Sequence, residues 1–281
     1  MDDGQIVVRA TPEKVSCPVS DCNLPVDITF SSSDGLKLGA HSTLLEAYSD
    51  GFPGGDMVHN TGDAIPMDER GEVLRLLLPL LHKRRYSTWN LKSIPITLLL
   101  ELAEAAEKWL IFHAMDICML HISQRVKERP AEILSYAVKH DYVDLADLVA
   151  PGTIVHKPQQ IENIAGSERF HFAWLQYYSA WLEVHEFALT LPSPYINSKR
   201  KVHVCDSSDP YFAATLAELP RTVSHMMQCI SEGRLPGEYY DRHLAKTATC
   251  PICTHKAREW KLGVRGMIEN IPKFSHFLAR N

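Results

Sequence analysis

The order of apolar and polar positions divides the chain into a strand-bearing start and a helical remainder. Val26-Asp27-Ile28-Thr29-Phe30 alternates with period two, the pattern of a half-buried strand. Ser33-Asp34-Gly35 is a turn signal and Leu36-Lys37-Leu38 resumes the alternation, so the stretch predicts a β-hairpin. Ser42 caps a short predicted helix through Leu44, Leu45 and Tyr48. Residues 50–63 read as loop, and Ala64-Ile65-Pro66-Met67 as an edge strand, since Pro66 has no N–H to give to a ladder. Gln5-Ile6-Val7-Val8-Arg9 reads as a further short strand within a proline-containing lead-in, residues 1–25.

Helical periodicity then takes over. Glu72 to Leu78 predicts a helix that Pro79 ends or kinks. Between Pro95 and Trp109, residues Leu98, Leu99, Leu102, Ala106 and Trp109 fall on one stripe, and Phe112 to Val126 repeats the pattern. Ala131 to His140 and Asp144 to Val149 are shorter helices, with Pro151-Gly152 closing the region. Residues 151–166 are polar, carry Pro158 and Gly166, and read as a linker. A long helix follows from Ser167 to Leu189, with Phe170, Trp174, Tyr177, Tyr178, Trp181 and Leu182 as an aromatic core face. Asp209 to Ile230, broken at Pro220, and Pro251 to Asn270 complete the helices. The pattern predicts an α+β region at residues 26–150 and an all-α region at residues 167–281.

Composition narrows the function classes. The 281 residues are 45% hydrophobic and 22% charged, ordinary for a globular chain that buries a core. The net charge of −5 gives no general attraction to nucleic acid or anionic membrane. Nothing approaches the about 18 apolar residues that span a bilayer. The acidic start, Met1-Asp2-Asp3-Gly4, predicts no secretory signal. Seven cysteines without an export signal predict core thiols or a metal site rather than disulfides. The expected setting is intracellular, in nucleus, cytoplasm or both.

Several of these segments, taken together, resemble the opening of a BTB/POZ domain. They are Val26-Asp27-Ile28-Thr29-Phe30, the hairpin, Leu38-Gly39-Ala40-His41, Leu44-Leu45 and Ser49-Asp50-Gly51-Phe52. The helix Glu72 to Leu78 and the pair around Leu98-Leu99, Ala103 and Ala105-Ala106 follow in the same order. Phe30-Ser31-Ser32-Ser33-Asp34-Gly35, Leu102-Ala103-Glu104-Ala105-Ala106-Glu107-Lys108 and Tyr136-Ala137-Val138-Lys139-His140-Asp141-Tyr142 are similar to BTB proteins abundant in mushroom-forming fungi. The resemblance covers residues 26–150. Over residues 167–281 it rests on the Trp-rich helix, Cys205, the Cys250-x2-Cys253 pair and Ile271-Pro272-Lys273-Phe274. It implies a small sheet covered by helices and a noncatalytic scaffold or adaptor that binds proteins, itself among them. The resemblance places Asp27 at a surface used for subunit contact, with His41 opening the first helix. For each, a local structural role is the alternative reading: strand-edge solvation for Asp27 and a packing histidine for His41. A cullin scaffold is not an expected partner. Pro53-Gly54-Gly55 opposes the contact helix that adaptors place there, and Met67-Asp68-Glu69, which fits apolar-x-Glu, follows a strand.

No Gly-x-Ser-x-Gly, phosphate loop or His-Glu-x-x-His occurs, so no enzyme is expected. Lys83-Arg84-Arg85 and Lys199-Arg200-Lys201 are short basic runs that read as solvated loops. A nucleic-acid-associated regulator with a zinc-stapled C-terminal region is the alternative function they leave open. Cys17 and Cys22, separated by four residues, read as stray thiols, and Cys118 as a core thiol. Cys250-Pro251-Ile252-Cys253 is half of a metal site. Cys205 is the expected third ligand because the resemblance pairs it with Cys250 and Cys253. Cys229 or a histidine, among them His203, His243 and His255, would be the fourth. Structural zinc, unligated thiols and a redox pair at a helix start are the three readings of this knuckle.

Overall fold

The computed structural model describes residues 15–52, 64–83, 91–192, 203, 205, 208–234, 236–247 and 250–280. The predicted strand at Gln5–Arg9, the Pro53-Gly54-Gly55 loop, Arg84-Arg85 and Lys199-Arg200-Lys201 lie outside the described residues. Chain contacts divide the protein into two compact units, Met1–Arg125 and Val126–Asn281.

In the first unit, β1 (Ile28–Ser31) and β2 (Lys37–Ala40) form the antiparallel hairpin that the alternation predicts, with Phe30 opposite Leu38. Helix α1 (Ser42–Tyr48) follows, and β3 (Ile65–Pro66) then joins β1 in parallel, giving the order β2-β1-β3 with Pro66 at an edge. Ile28 and Phe30 point inward from β1, and Phe30 is 1% exposed. Helix α2 (Gly71–Leu80) packs on β2, α3 (Ile96–Lys108) packs on α2, and α4 (Phe112–Ser123) packs on α3. Their inward stripes bury Leu74, Leu77, Leu99, Leu102 and Cys118. Burial pushes the Cys118 thiol up to about 12, so it stays a neutral core group.

Of the two outcomes expected at Pro79, an end or a kink, the helix does not end there but runs one residue past it. The ring removes one donor, and the chain then tightens into shorter bonds, Leu81 N to Leu78 O at 3.2 Å and His82 N to Pro79 O at 3.0 Å. That turn sets the direction of His82. Helix α1 is tied to the end of α3 by Gly51 N to Trp109 O, 3.2 Å, and by Ser49 Oγ to the same carbonyl. A Cβ on Gly51 would sit 2.6 Å from the Trp109 carbonyl carbon, so only glycine admits this approach. Phe52 then stacks on the Trp109 ring with centroids 4.1 Å apart.

The second unit is helical: α5 (Pro130–Lys139), α6 (Val143–Thr153), α7 (Pro158–Glu162), α8 (Glu168–Leu189), α9 (Ser208–Glu218), α10 (Val223–Ser231), α11 (Pro236–Arg242), α12 (Pro251–Glu269) and α13 (Phe274–Leu278). A 3-10 turn at Leu244–Thr247 precedes α12. Helix α8 is the axis. Its Phe170, Trp174, Tyr177 and Trp181 are buried, and Phe274 and Phe277 of α13 meet Tyr177 edge-on at 5.7 Å each. Trp174 Nε1 donates to Thr153 Oγ1 at 2.7 Å, which satisfies both buried groups.

Residues 151–166 carry structure of their own. Helix α6 continues through Pro151-Gly152 to Thr153, and Thr153 and Ile161 are fully buried. Helices α5 and α6 pack on each other and fall in the second unit, so the division between units lies at 125/126, ahead of the polar stretch. The fold is therefore mostly helical with a small three-stranded sheet, an α+β arrangement. Among the described residues no helix is long and apolar enough to cross a membrane.

Candidate metal centres

All seven cysteines are free of disulfides. Among the described residues two groups of Cys and His side chains converge, one in each unit, and in each group the four ligand atoms lie within 4.8 Å of one another.

The group in the second unit is His203, Cys205, Cys250 and Cys253. Cys250 stands at the N-cap of α12 in extended conformation, Pro251 takes the first helical position, and Cys253 sits in the first turn. This geometry aims both sulfurs to one side of the helix start. His203 Nε2 lies 3.2 Å from Cys250 Sγ and 3.7 Å from Cys253 Sγ. A tetrahedral ion with ordinary ligand bonds sets edges of about 3.6 Å between N and S and about 3.8 Å between sulfurs, so these spacings suit one ion. Burial pushes the Cys253 thiol up to about 12, with hydrogen bonds to Cys250 and Cys205 adding to it. Crowded sulfurs thus resist ionisation by themselves, and a divalent cation reverses that balance. Three thiolates and one imidazole around a divalent ion leave one formal negative charge, placed where the α12 dipole favours it.

Cys229 is not part of the group. It is buried on α10, where it accepts a hydrogen bond from Tyr239 at 3.4 Å, and the side chain that stands with the three sulfurs is His203. His243 is engaged instead by Glu218 at 2.8 Å, and His255 by Glu259 at 3.3 Å.

The group in the first unit is Cys17, Cys22, His41 and His82. Sequence reasoning read the two cysteines as unrelated thiols. Their spacing is at the wide end for a knuckle, and the histidines arrive from distant elements: His41 from the start of α1, His82 from the turn that Pro79 creates. Cys22 Sγ is 3.2 Å from His41 Nε2, and Cys17 Sγ is 3.5 Å from His82 Nε2.

His41 is 3% exposed, so it presents no contact surface. Nor does its side chain cap α1. That role falls to Asp27, which is exposed and accepts hydrogen bonds from Ser42 N at 2.9 Å and Ser42 Oγ at 2.5 Å. Partial burial works against the Asp27 charge, but the bonds from Ser42 outweigh it and hold the carboxyl below its ordinary value. Met67 is buried, and the Glu69 carboxylate accepts from Trp109 Nε1 and Lys108 Nζ at 2.9 Å each.

No family model matches the chain, and no curated protein matches it in sequence.

Proposed function

We propose that the protein is a noncatalytic interaction module of the BTB/POZ type, with a helical second unit held by a structural zinc at His203, Cys205, Cys250 and Cys253. The observation that carries the interaction reading is the element order of the first unit. A hairpin, a short helix opened by a buried histidine and three further helices succeed one another in the order that the resemblance implies. Its partners are other proteins, a second copy of the chain among them, inside the cell. A cullin contact through Met67-Asp68-Glu69 is disfavoured, because Met67 and the Glu69 carboxylate are spent on internal packing and bonding.

Zinc is the ion that a three-sulfur, one-imidazole tetrahedral set takes. Four protein ligands close the coordination sphere and leave no open position for a substrate, which supports a structural role. The ion would clip the segment before α9 to the start of α12. Cys250→Ser should lower the melting temperature by more than about 5 °C. An unchanged melt together with unchanged metal content would remove the zinc reading. Light scattering across a concentration series tests the interaction reading separately. A reversible dimer is the expected result, and a strict monomer at the highest concentration would refute self-association.

A further inference from the structure

The lead-in at residues 15–25 carries little apolar surface, yet it is seated along the sheet. Gly39 on β2 donates its N–H outward to Ser16 O at 3.0 Å. A Cβ there would lie 2.7 Å from the Val26 side chain and 3.0 Å from the Ser16 carbonyl carbon, so the lead-in crosses β2 at backbone contact. β2 is an edge of the sheet, and Gly39 is buried where Ser16 and Val26 lie against it. Val19 is the buried apolar side chain of this segment, while Leu24 and Val26 are exposed.

Beside Val19, Cys17 and Cys22 are the side chains of the segment that reach inward to other elements, and each meets a histidine whose Nδ1 is already engaged. His41 Nδ1 lies 2.6 Å from Pro25 O, and His82 Nδ1 lies 3.2 Å from Leu78 O. A carbonyl only accepts, so both Nδ1 atoms carry the proton and both Nε2 atoms present a bare lone pair to the sulfurs. Carbonyls bonded to the remote nitrogen are the usual outer support of metal-binding imidazoles. Val19 N donates to Cys17 Sγ at 3.4 Å, which fixes the position of that sulfur.

We propose that Cys17, Cys22, His41 and His82 form a second structural zinc site, which locks the lead-in across the β2 edge and closes that edge to pairing. Binding replaces two thiol protons, released to solvent, with two Zn–S bonds and adds two Zn–N bonds. The two thiolates and the divalent ion leave the site formally neutral, which suits ligands that include a buried imidazole. This site is independent of the interaction reading and of the centre in the second unit. The competing use of the same atoms is two separate thiol–imidazole pairs, each a reactive thiolate.

The test is zinc content of the full chain, purified without chelator, by mass spectrometry of the metal. About two equivalents are expected, one for each four-ligand set. The Cys17→Ser/Cys22→Ser variant should lose one equivalent, and Cys250→Ser/Cys253→Ser should lose the other. Should the first variant keep the full parental content, or the second lose all metal, the N-terminal site does not exist. Loss of metal from the first variant alone would instead refute the C-terminal centre. Where the first variant does not fold, hydrogen exchange on the parent decides. Chelation should remove the protection of the Gly39 amide and of residues 15–25, whereas protection that survives complete metal removal, or rapid alkylation of Cys17 and Cys22 in the metal-replete chain, overturns the proposal.

Discussion

Asp27 illustrates how a residue's position in sequence and its job in the structure diverge. The alternation that makes it a strand residue also leaves it exposed beside the first turn of α1, where Ser42 offers both N–H and hydroxyl. Asp27→Ala should cost about 1 kcal/mol, the usual worth of an N-terminal helix cap, read by chemical denaturation. The same bonds set a pH dependence. The folded carboxyl is held below its ordinary value, so its contribution is complete above about pH 4, where the unfolded group is ionised. It is lost as pH falls through the lower folded value. Asp27→Asn should therefore flatten the acid limb of the stability profile, and an acid limb identical to the parent's would show that Ser42 is not the source. His41 shows the reverse divergence. Its place before a helix was legible, but its ring serves Cys22 and the Pro25 carbonyl, both at the lead-in, and no local pattern announces that.

Elements were legible where periodicity had room to act. The hairpin, α3, α8 and α12 each run long enough, or alternate cleanly enough, to fix type and inward face. Helices α7 and α13 span five residues each, too few for a 3.6-residue period to register. The parallel pairing of β3 joins residues far apart in sequence and leaves no local mark. The turns joining α3 to α4 and α5 to α6 carried no glycine signal either. Leu110 and Asp141 adopt φ of 48° and 56°, and Ile111 N and Tyr142 N reach back to Ala106 O and Ala137 O at 2.9 and 2.8 Å. These are left-handed helix ends built without glycine. Leucine is poorly suited to that conformation, and Leu110 is 40% exposed, so its side chain is only partly packed. Leu110→Gly should stabilise the protein by about 1 kcal/mol. A loss of stability in the denaturation midpoint would mean that the Leu110 side chain does more than its exposure indicates.

At the scale of the whole molecule, each compact unit carries one converging Cys/His group among the described residues, and each group joins segments distant in sequence. The C-terminal knuckle was half legible, because Cys250 and Cys253 are neighbours on one helix start while His203 and Cys205 come from another segment. The N-terminal set was not legible, since its ligands span three separate elements and only the fold assembles them. Zinc K-edge absorption on the full-length protein tests this account most directly. With both centres filled, the ions should share five sulfurs and three nitrogens, at about 2.3 Å and about 2.0–2.1 Å. A ratio of three sulfurs to one nitrogen would contradict the N-terminal site, and a shell dominated by oxygen would contradict both.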